Sequence, residues 1–149
     1  SLNLGAETMN SLNDELHHAS LYLDIEKVRF PERLEVEKQI DPACGQMMLP
    51  AMILQPLLEN AVKHGVNTML TTCKIKLTAT CHETALGISI SNNFDPNAVP
   101  RKGTGTGLSN VQKRMAAIYG RNDLFSSKAT NDVFEVKLQI PAQIGIAKN

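Results

Sequence analysis

The sequence predicts an α+β domain: a two-layer α/β sandwich whose mixed, mostly antiparallel sheet is covered by helices on one face. Three observations lead there. A chain of 149 residues suits one core. The segments follow the order helix, strand, helix, hairpin, long loop, helix, strand. "CKIKLTAT" and "ALGISIS" alternate as strands on either side of the turn "CHET", which makes them a hairpin.

Residues 11–29 read as the first helix. "SLND" places Ser11 as N-cap with Asp14 three residues on. Leu12, Leu16, Ala19 and Leu23 recur at helical spacing, and Leu21, Ile25 and Val28 widen the stripe. Pro31 ends it. His17 and His18 read as ordinary helix residues, because a lone histidine is weak evidence of catalysis. "RLEVEKQI" alternates as a half-buried strand. "MMLPAMILQPLLENAVKHG" reads as a second helix, with Pro50 near its start, Pro56 as an irregularity near its middle or an early turn, and Gly65 as its stop. "LSNVQKRMAAIYG" is a third helix ending at Gly120. "DVFEVKLQIP" is a last strand, with Phe134, Val136, Leu138 and Ile140 on one side.

Composition excludes some functions. Fifteen basic and fifteen acidic side chains cancel, so no positive field awaits a nucleic-acid backbone. The absence of tryptophan argues against base stacking as well. Cys44, Cys73 and Cys81 form no C-x-x-C pair and have no histidine at zinc spacing, so reduced thiols in a cytosolic domain are expected. No apolar run approaches the roughly 20 residues that cross a bilayer, and no signal-peptide pattern is present. The abrupt start "SLNLGAE" is compatible with a cut in a longer, membrane-bound parent.

Two stretches carry chemistry. In "LQPLLENAVKHG", Asn60, Lys63 and His64 fall at i, i+3 and i+4 of a helix, while Glu59 shares a face with Lys63. An amide oxygen suits Mg²⁺, and a lysine one turn on suits phosphate. A solvated polar face is the alternative. "GTGTG" at 103–107 opens a helix after an irregular run from 92, and glycines there permit close backbone approach to an anion at free N–H groups. It lacks the lysine of a Walker loop and does not follow a strand, so it is no Rossmann turn; a flexible turn or lid is its bland reading. Arg101 and Lys102 precede it and would reach phosphate or keep the loop soluble. Few apolar anchors across 93–106 predict a mobile lid.

"LQPLLENAVKHG" resembles the N box of the GHKL (Bergerat, HATPase) ATP-binding fold shared by histidine kinases, DNA gyrase and the mismatch-repair protein MutL, and "GTGTGLSNVQKRM" resembles its G2 box. "SLYLDIEKVRFPERLEVEKQID" followed by "LPAMILQPLLENAVKHG" is similar to LytS-like sensor histidine kinases. The likeness runs from about Glu15 to Pro141. It implies that residues 1–30 are the C-terminal part of a dimerisation and phosphoacceptor hairpin, and that 31–149 are the catalytic domain. It implies ATP and Mg²⁺ as cofactors, and Asn60 as the magnesium ligand. Lys63 would contact phosphate, and His64 the phosphate or ribose side. Glu59 would hold a magnesium-bound water or neighbouring polar groups. Gly103, Gly105 and Gly107 would let the lid fold over the triphosphate, and Leu108 would help close the pocket.

The G1 box of this family is D-x-G-x-G. Here "ISNNFDP" puts Asn92 at the aspartate position and Phe94 at the first glycine. An asparagine oxygen still accepts from the adenine amino group but loses the charge-assisted component. Asp95, and Asp132 where the family tends to have threonine, are the other carboxylates in view; Asp132 is a candidate to supply the missing charge. The acceptor histidine lies upstream in this family, and His17 and His18 do not match its motif, so this piece is expected to bind ATP without phosphorylating itself. The implied activity is protein-histidine kinase: transfer of the γ-phosphoryl group to a histidine and on to an aspartate of a response regulator. The implied parent is a homodimer at the bacterial inner membrane, with this domain cytoplasmic. The alternatives are a degenerate GHKL domain serving as a non-enzymatic dimerisation or docking module, and a GHKL ATPase that hydrolyses ATP to water.

Overall fold

The helix expected at 11–29 forms as α1, Leu12–Arg29. The structure, a computed structural model, describes residues 7–82, 84–98 and 106–142. Ser11 caps α1, its hydroxyl accepting from the Asp14 N–H at 3.2 Å, and Lys27 and Arg29 in the last turn complement the helix dipole. Leu12, Ala19 and Leu23 are buried. Leu21, Ile25 and Val28 do not join them: they are 52%, 63% and 79% exposed. At about 100° per residue they lie about 180° round the helix from Leu12 and Leu23. The helix therefore has two apolar stripes on opposite sides rather than one wide stripe.

The main sheet has five strands: β2 (Leu34–Ile40), β4 (Cys73–His82), β5 (Ala85–Asn93), β6 (Phe125–Thr130) and β7 (Val133–Pro141), in the order β2-β4-β5-β7-β6. β2 runs parallel to β4, and the remaining pairs are antiparallel. Alternation sorts the two faces. Ile75, Leu77, Leu86, Ile88, Ile90, Val136, Leu138 and Ile140 are buried under the helices. The other face is polar, and there the Ser89 hydroxyl donates to the Glu135 carboxylate at 2.6 Å. All three helices contribute to this core: α1 through Leu12, Ala19 and Leu23, α2 (Leu54–Thr68) through Leu54, Leu57, Leu58 and Ala61, and α3 (Thr106–Tyr119) through Val111, Met115 and Ile118. This is the expected helix-covered mixed sheet.

Five details differ from the sequence reading. β5 runs on through Asn92 and Asn93, where the sequence reads as irregular, because both pair with β7. The expected helix at 47–65 is a short strand β3 (Met48–Pro50), paired antiparallel with β1 (Met9–Ser11), followed by a turn and then α2. Gly65 does not stop α2, which continues to Thr68. α3 begins at Thr106, two residues early. β6 was not expected: of its residues only Phe125 is half-buried and the rest are exposed, so "FSSKAT" carries no alternation to read. The end of α3 is as expected, with Gly120 at φ 69° and its N–H donating to the Ala116 carbonyl at 2.8 Å.

Candidate functional site

Both ends of α2 are pinned by distant residues. Met52, at φ 62°, turns the chain into the helix, and its N–H donates to the buried Glu15 carboxylate at 2.9 Å. Asn10 Nδ2 donates to the same oxygen at 2.9 Å. Pro56 lies in the first turn, where a missing N–H costs nothing. At the far end the Arg33 guanidinium donates to the carbonyls of Val66 at 3.0 Å and Met69 at 2.8 Å, a cation on the helix's negative end.

Gly65 sets how closely α2 approaches the sheet. A Cβ there would run into Cys73 Sγ and stand 3.3 Å from the Asn93 carbonyl oxygen. Glycine is required by this close approach rather than by a helix end. Asn93 holds the sheet side of the contact: its Oδ1 accepts from Lys74 N–H at 2.8 Å and its Nδ2 donates to the Thr72 carbonyl at 3.1 Å.

The approach brings His64 to Asn92. Asn92 is 1% exposed, and its Nδ2 lies 2.9 Å from the Asn93 carbonyl oxygen and 3.2 Å from His64 Nδ1. A carbonyl only accepts, so its contact sets the amide with Nδ2 on that side. The second Nδ2 hydrogen then goes to His64 Nδ1. That makes Nδ1 the acceptor and puts the imidazole proton on Nε2. Burial pushes the His64 pKa down from its usual value, and a hydrogen bond accepted by the unprotonated Nδ1 favours the same neutral ring. The Phe94 ring stacks on the imidazole at 4.8 Å, and Phe134 meets it edge-on at 5.3 Å. Asn92 Oδ1 is buried and has no hydrogen-bond partner among the described residues. Such an acceptor costs about 1–3 kcal/mol unless something donates to it.

The other expected site residues divide around α2. Pro56, Asn60 and His64 follow one another at i+4 spacing. Pro56 lies beside α3, since a Cβ at Gly107 would stand 3.8 Å from its carbonyl oxygen. The line from the start of α3 to Asn92 is therefore roughly 12 Å long, eight residues at about 1.5 Å each. Asn60 is half-buried along it. Glu59 and Lys63 instead line a cleft of about 410 Å³ against α1, together with Tyr22, Glu26 and Arg29. The Glu59 carboxylate accepts from Gln55 Nε2 at 3.0 Å, and Lys63 is exposed. Gly107 and Leu108 lie in the first turn of α3, with Leu108 packed on the core. Gly103 and Gly105 lie outside the described residues, as does the lid expected across 93–106 from residue 99 to 105.

Sequence reasoning missed Phe134, which reaches His64 because β7 pairs with β5 at Asn92↔Phe134. Nothing in the local pattern signals that pairing. Asp132 meets the site by its backbone: its carbonyl accepts from the Phe94 N–H at 2.9 Å, and the residue is exposed. Asp95 closes a turn instead, its carboxylate accepting from the Asn97 N–H at 2.9 Å.

A helix-covered mixed sheet with an asparagine–histidine helix against its central strand defines the class: the catalytic-domain fold of histidine kinases. The nucleotide-free catalytic domain of the histidine kinase ThkA superposes with a TM-score of 0.67 over 90% of this chain and 96% of that one, at 18% identity. ThkA in complex with the response regulator TrrA gives 0.66 over 92% of this chain and 42% of that one, at 17% identity. No family model matches the chain. The sensor histidine kinase BtsS of Escherichia coli (strain K12) is 33% identical over 132 residues, covering 88% of this chain and 24% of that protein. The sensor protein LytS of Bacillus subtilis (strain 168) is 29% identical over 145 residues, covering 89% and 24%. Over about nine-tenths of its length the chain is LytS/BtsS-like in sequence, with the fold of a histidine kinase catalytic domain. It spans about a quarter of the length of these relatives.

Proposed function

We propose that this domain binds ATP with Mg²⁺ and serves a parent kinase that passes the γ-phosphoryl group to a histidine outside this chain, then to an aspartate of a response regulator. The observation that carries the reading is Asn92 Oδ1, a buried acceptor without a donor beside His64. The adenine amino group supplies that donor. From there the nucleotide follows the Asn60 line toward the N-terminus of α3, where free N–H groups and the helix dipole favour phosphate. His64, with its proton on Nε2, donates toward ribose or phosphate. Lys63 lines the α1 side of α2, and its long exposed side chain swings from there toward phosphate, while Asn60 offers its oxygen to the metal. Glu59 orders Gln55 and the polar groups at the α1 side. Gly103, Gly105, Gly107 and Leu108 close over the phosphates. Magnesium, when bound, neutralises phosphate charge and aligns the transferring group. The protein's part is positioning and exclusion of water.

Residues 1–30 belong in this reading to the dimerisation hairpin and 31–149 to the catalytic unit. The exposed Leu21, Ile25 and Val28 stripe supports this, because it offers an apolar face to a further helix. The described residues include no helix long and apolar enough to cross a membrane. The proposed membrane location of the parent rests on segments outside this chain.

Calorimetric titration with a non-hydrolysable ATP analogue, with and without Mg²⁺, tests the reading. Magnesium-dependent binding is expected at micromolar to low-millimolar Kd, and Asn60→Ala is expected to abolish the magnesium dependence in a folded protein. No binding at millimolar nucleotide would favour the docking-module alternative, for which Phe94 against His64 is the specific observation.

A further inference from the structure

Asp41, Cys44 and Cys81 converge far from His64. Parallel pairing of β2 with β4 sets Ile40 opposite Ala79, so the chain leaving β2 turns beside the last residues of β4. That turn is fixed by its backbone. Asp41 N–H donates to the Ala79 carbonyl at 2.9 Å, Ala43 N–H to Asp41 Oδ1 at 3.0 Å, and Cys44 N–H to the Asp41 carbonyl at 2.9 Å. Cys44 is fully buried, Cys81 half-buried and Asp41 exposed. The two sulfurs and a carboxylate oxygen all lie within 4.8 Å of one another.

We propose that these three side chains bind a thiophilic divalent cation of the zinc class, with water in the fourth position. Zinc takes sulfur at about 2.3 Å and carboxylate oxygen at about 2.0–2.2 Å, so tetrahedral ligands stand roughly 3.5–3.8 Å apart. The observed cluster needs a contraction of about 1 Å, within the reach of side-chain rotation. Two thiolates suit a soft cation. Their protons pass to solvent as the metal enters. The same sulfurs could instead be joined as a disulfide, but a carboxylate converging on the pair has no part in that bond, whereas a cation uses it as a third ligand. Among the described residues no lysine or arginine forms an ion pair with Asp41. Cys81 lies six residues along β4 from Ile75, the partner of Asn92, a distance of about 20 Å at about 3.3 Å per residue. The site therefore clips the turn after β2 to the end of β4 and takes no part in the nucleotide chemistry.

The test is titration of the reduced, metal-free full chain with Co²⁺, read by visible absorption, followed by Zn²⁺. One equivalent of Co²⁺ should give a tetrahedral spectrum with a thiolate charge-transfer band, and Zn²⁺ should displace it. Cys44→Ser and Cys81→Ser should each remove the tight site, and Asp41→Asn should weaken it at least tenfold. Cys81 is half-buried, so its serine variant is the one to read if Cys44→Ser fails to fold. Zn²⁺ should raise the thermal midpoint of the parent chain and leave that of Cys81→Ser unchanged. Absence of the band, a band that survives Cys81→Ser, or a spectrum without thiolate character, as binding at His17 and His18 would give, overturns the proposal. So does a reduced protein that takes up no metal but forms a Cys44–Cys81 disulfide on mild oxidation.

Discussion

The side-chain amide of Asn92 reaches His64 Nδ1 at 3.2 Å and the Asn93 carbonyl oxygen at 2.9 Å, so both of its hydrogens are spent inside the protein. Its oxygen alone is left for a ligand. In the proposed nucleotide site, adenine recognition at this position rests on one neutral acceptor.

Asn92→Asp should tighten nucleotide binding. A charged acceptor bonds roughly twice as strongly as a neutral one. That difference, about 1–2 kcal/mol, is about five- to thirtyfold in Kd. The same change places a carboxylate against the Asn93 carbonyl oxygen and removes the donor to His64, so the unliganded protein should lose stability. Calorimetry and urea denaturation of the variant read the two effects separately. Affinity that is unchanged or weaker would show that adenine does not use this oxygen.

Gly65→Ala should destabilise the fold despite alanine's better helix propensity. The propensity gain is up to about 1 kcal/mol, whereas forcing a methyl into a packed contact costs about 1–3 kcal/mol. The methyl meets Cys73 Sγ, so Cys73→Ala in the same chain should recover part of the loss. A double-mutant cycle in urea checks this. Additive single effects would mean that Cys73 is not the obstacle.

This contact also shows where sequence reading stops. A glycine after an apolar helical run is most simply a stop signal, and only the packing of Cys73 from β4 reveals why Gly65 lies inside the helix. α1 and the β4–β5 hairpin were legible because burial on one face writes a period into each. Leu21, Ile25 and Val28 obeyed the same period but stand on the opposite side of α1, since spacing alone does not say which stripe meets the core. Asn60, His64 and Asn92 were legible as candidates through motif resemblance. The ring contacts of Phe94 and Phe134 on His64 were not, because they depend on the end of α2, the loop after β5 and strand pairing with β7. That Glu59 and Lys63 share a face was legible from helical spacing; that this face meets α1 was not, because it depends on what packs on each side of α2.

Arg33→Ala should cost about 1–2 kcal/mol. The guanidinium serves two carbonyls at the C-terminal end of α2, and a cation at a helix C-terminus contributes about 0.3–1 kcal/mol beyond the hydrogen bonds themselves. Arg33→Lys should recover only part of this, because an ammonium does not reproduce the planar fork. Urea denaturation of both variants checks this, and a lysine variant as stable as the parent would assign the effect to the charge alone.

His64 should make stability fall on acidification. Burial holds its folded-state pKa below the usual 6.5, so between the two values the unfolded chain binds more protons than the folded one. Stability then rises with pH through that interval. The contribution is complete above about pH 6.5, is lost progressively as pH falls below it, and levels off beneath the folded pKa. Protonation at Nδ1 also replaces the acceptor facing Asn92 Nδ2 with a donor, so nucleotide affinity should fall over the same interval if Asn92 orients the base. His64→Gln should flatten the His64 part of the urea-midpoint profile between pH 7.5 and 5.5. Phe94→Ala removes part of the desolvation and should move the imidazole titration, followed by NMR, upward toward 6.5. An imidazole that already titrates at or above 6.5 in the parent protein would contradict the buried, Nε2-protonated ring and the adenine site built around it.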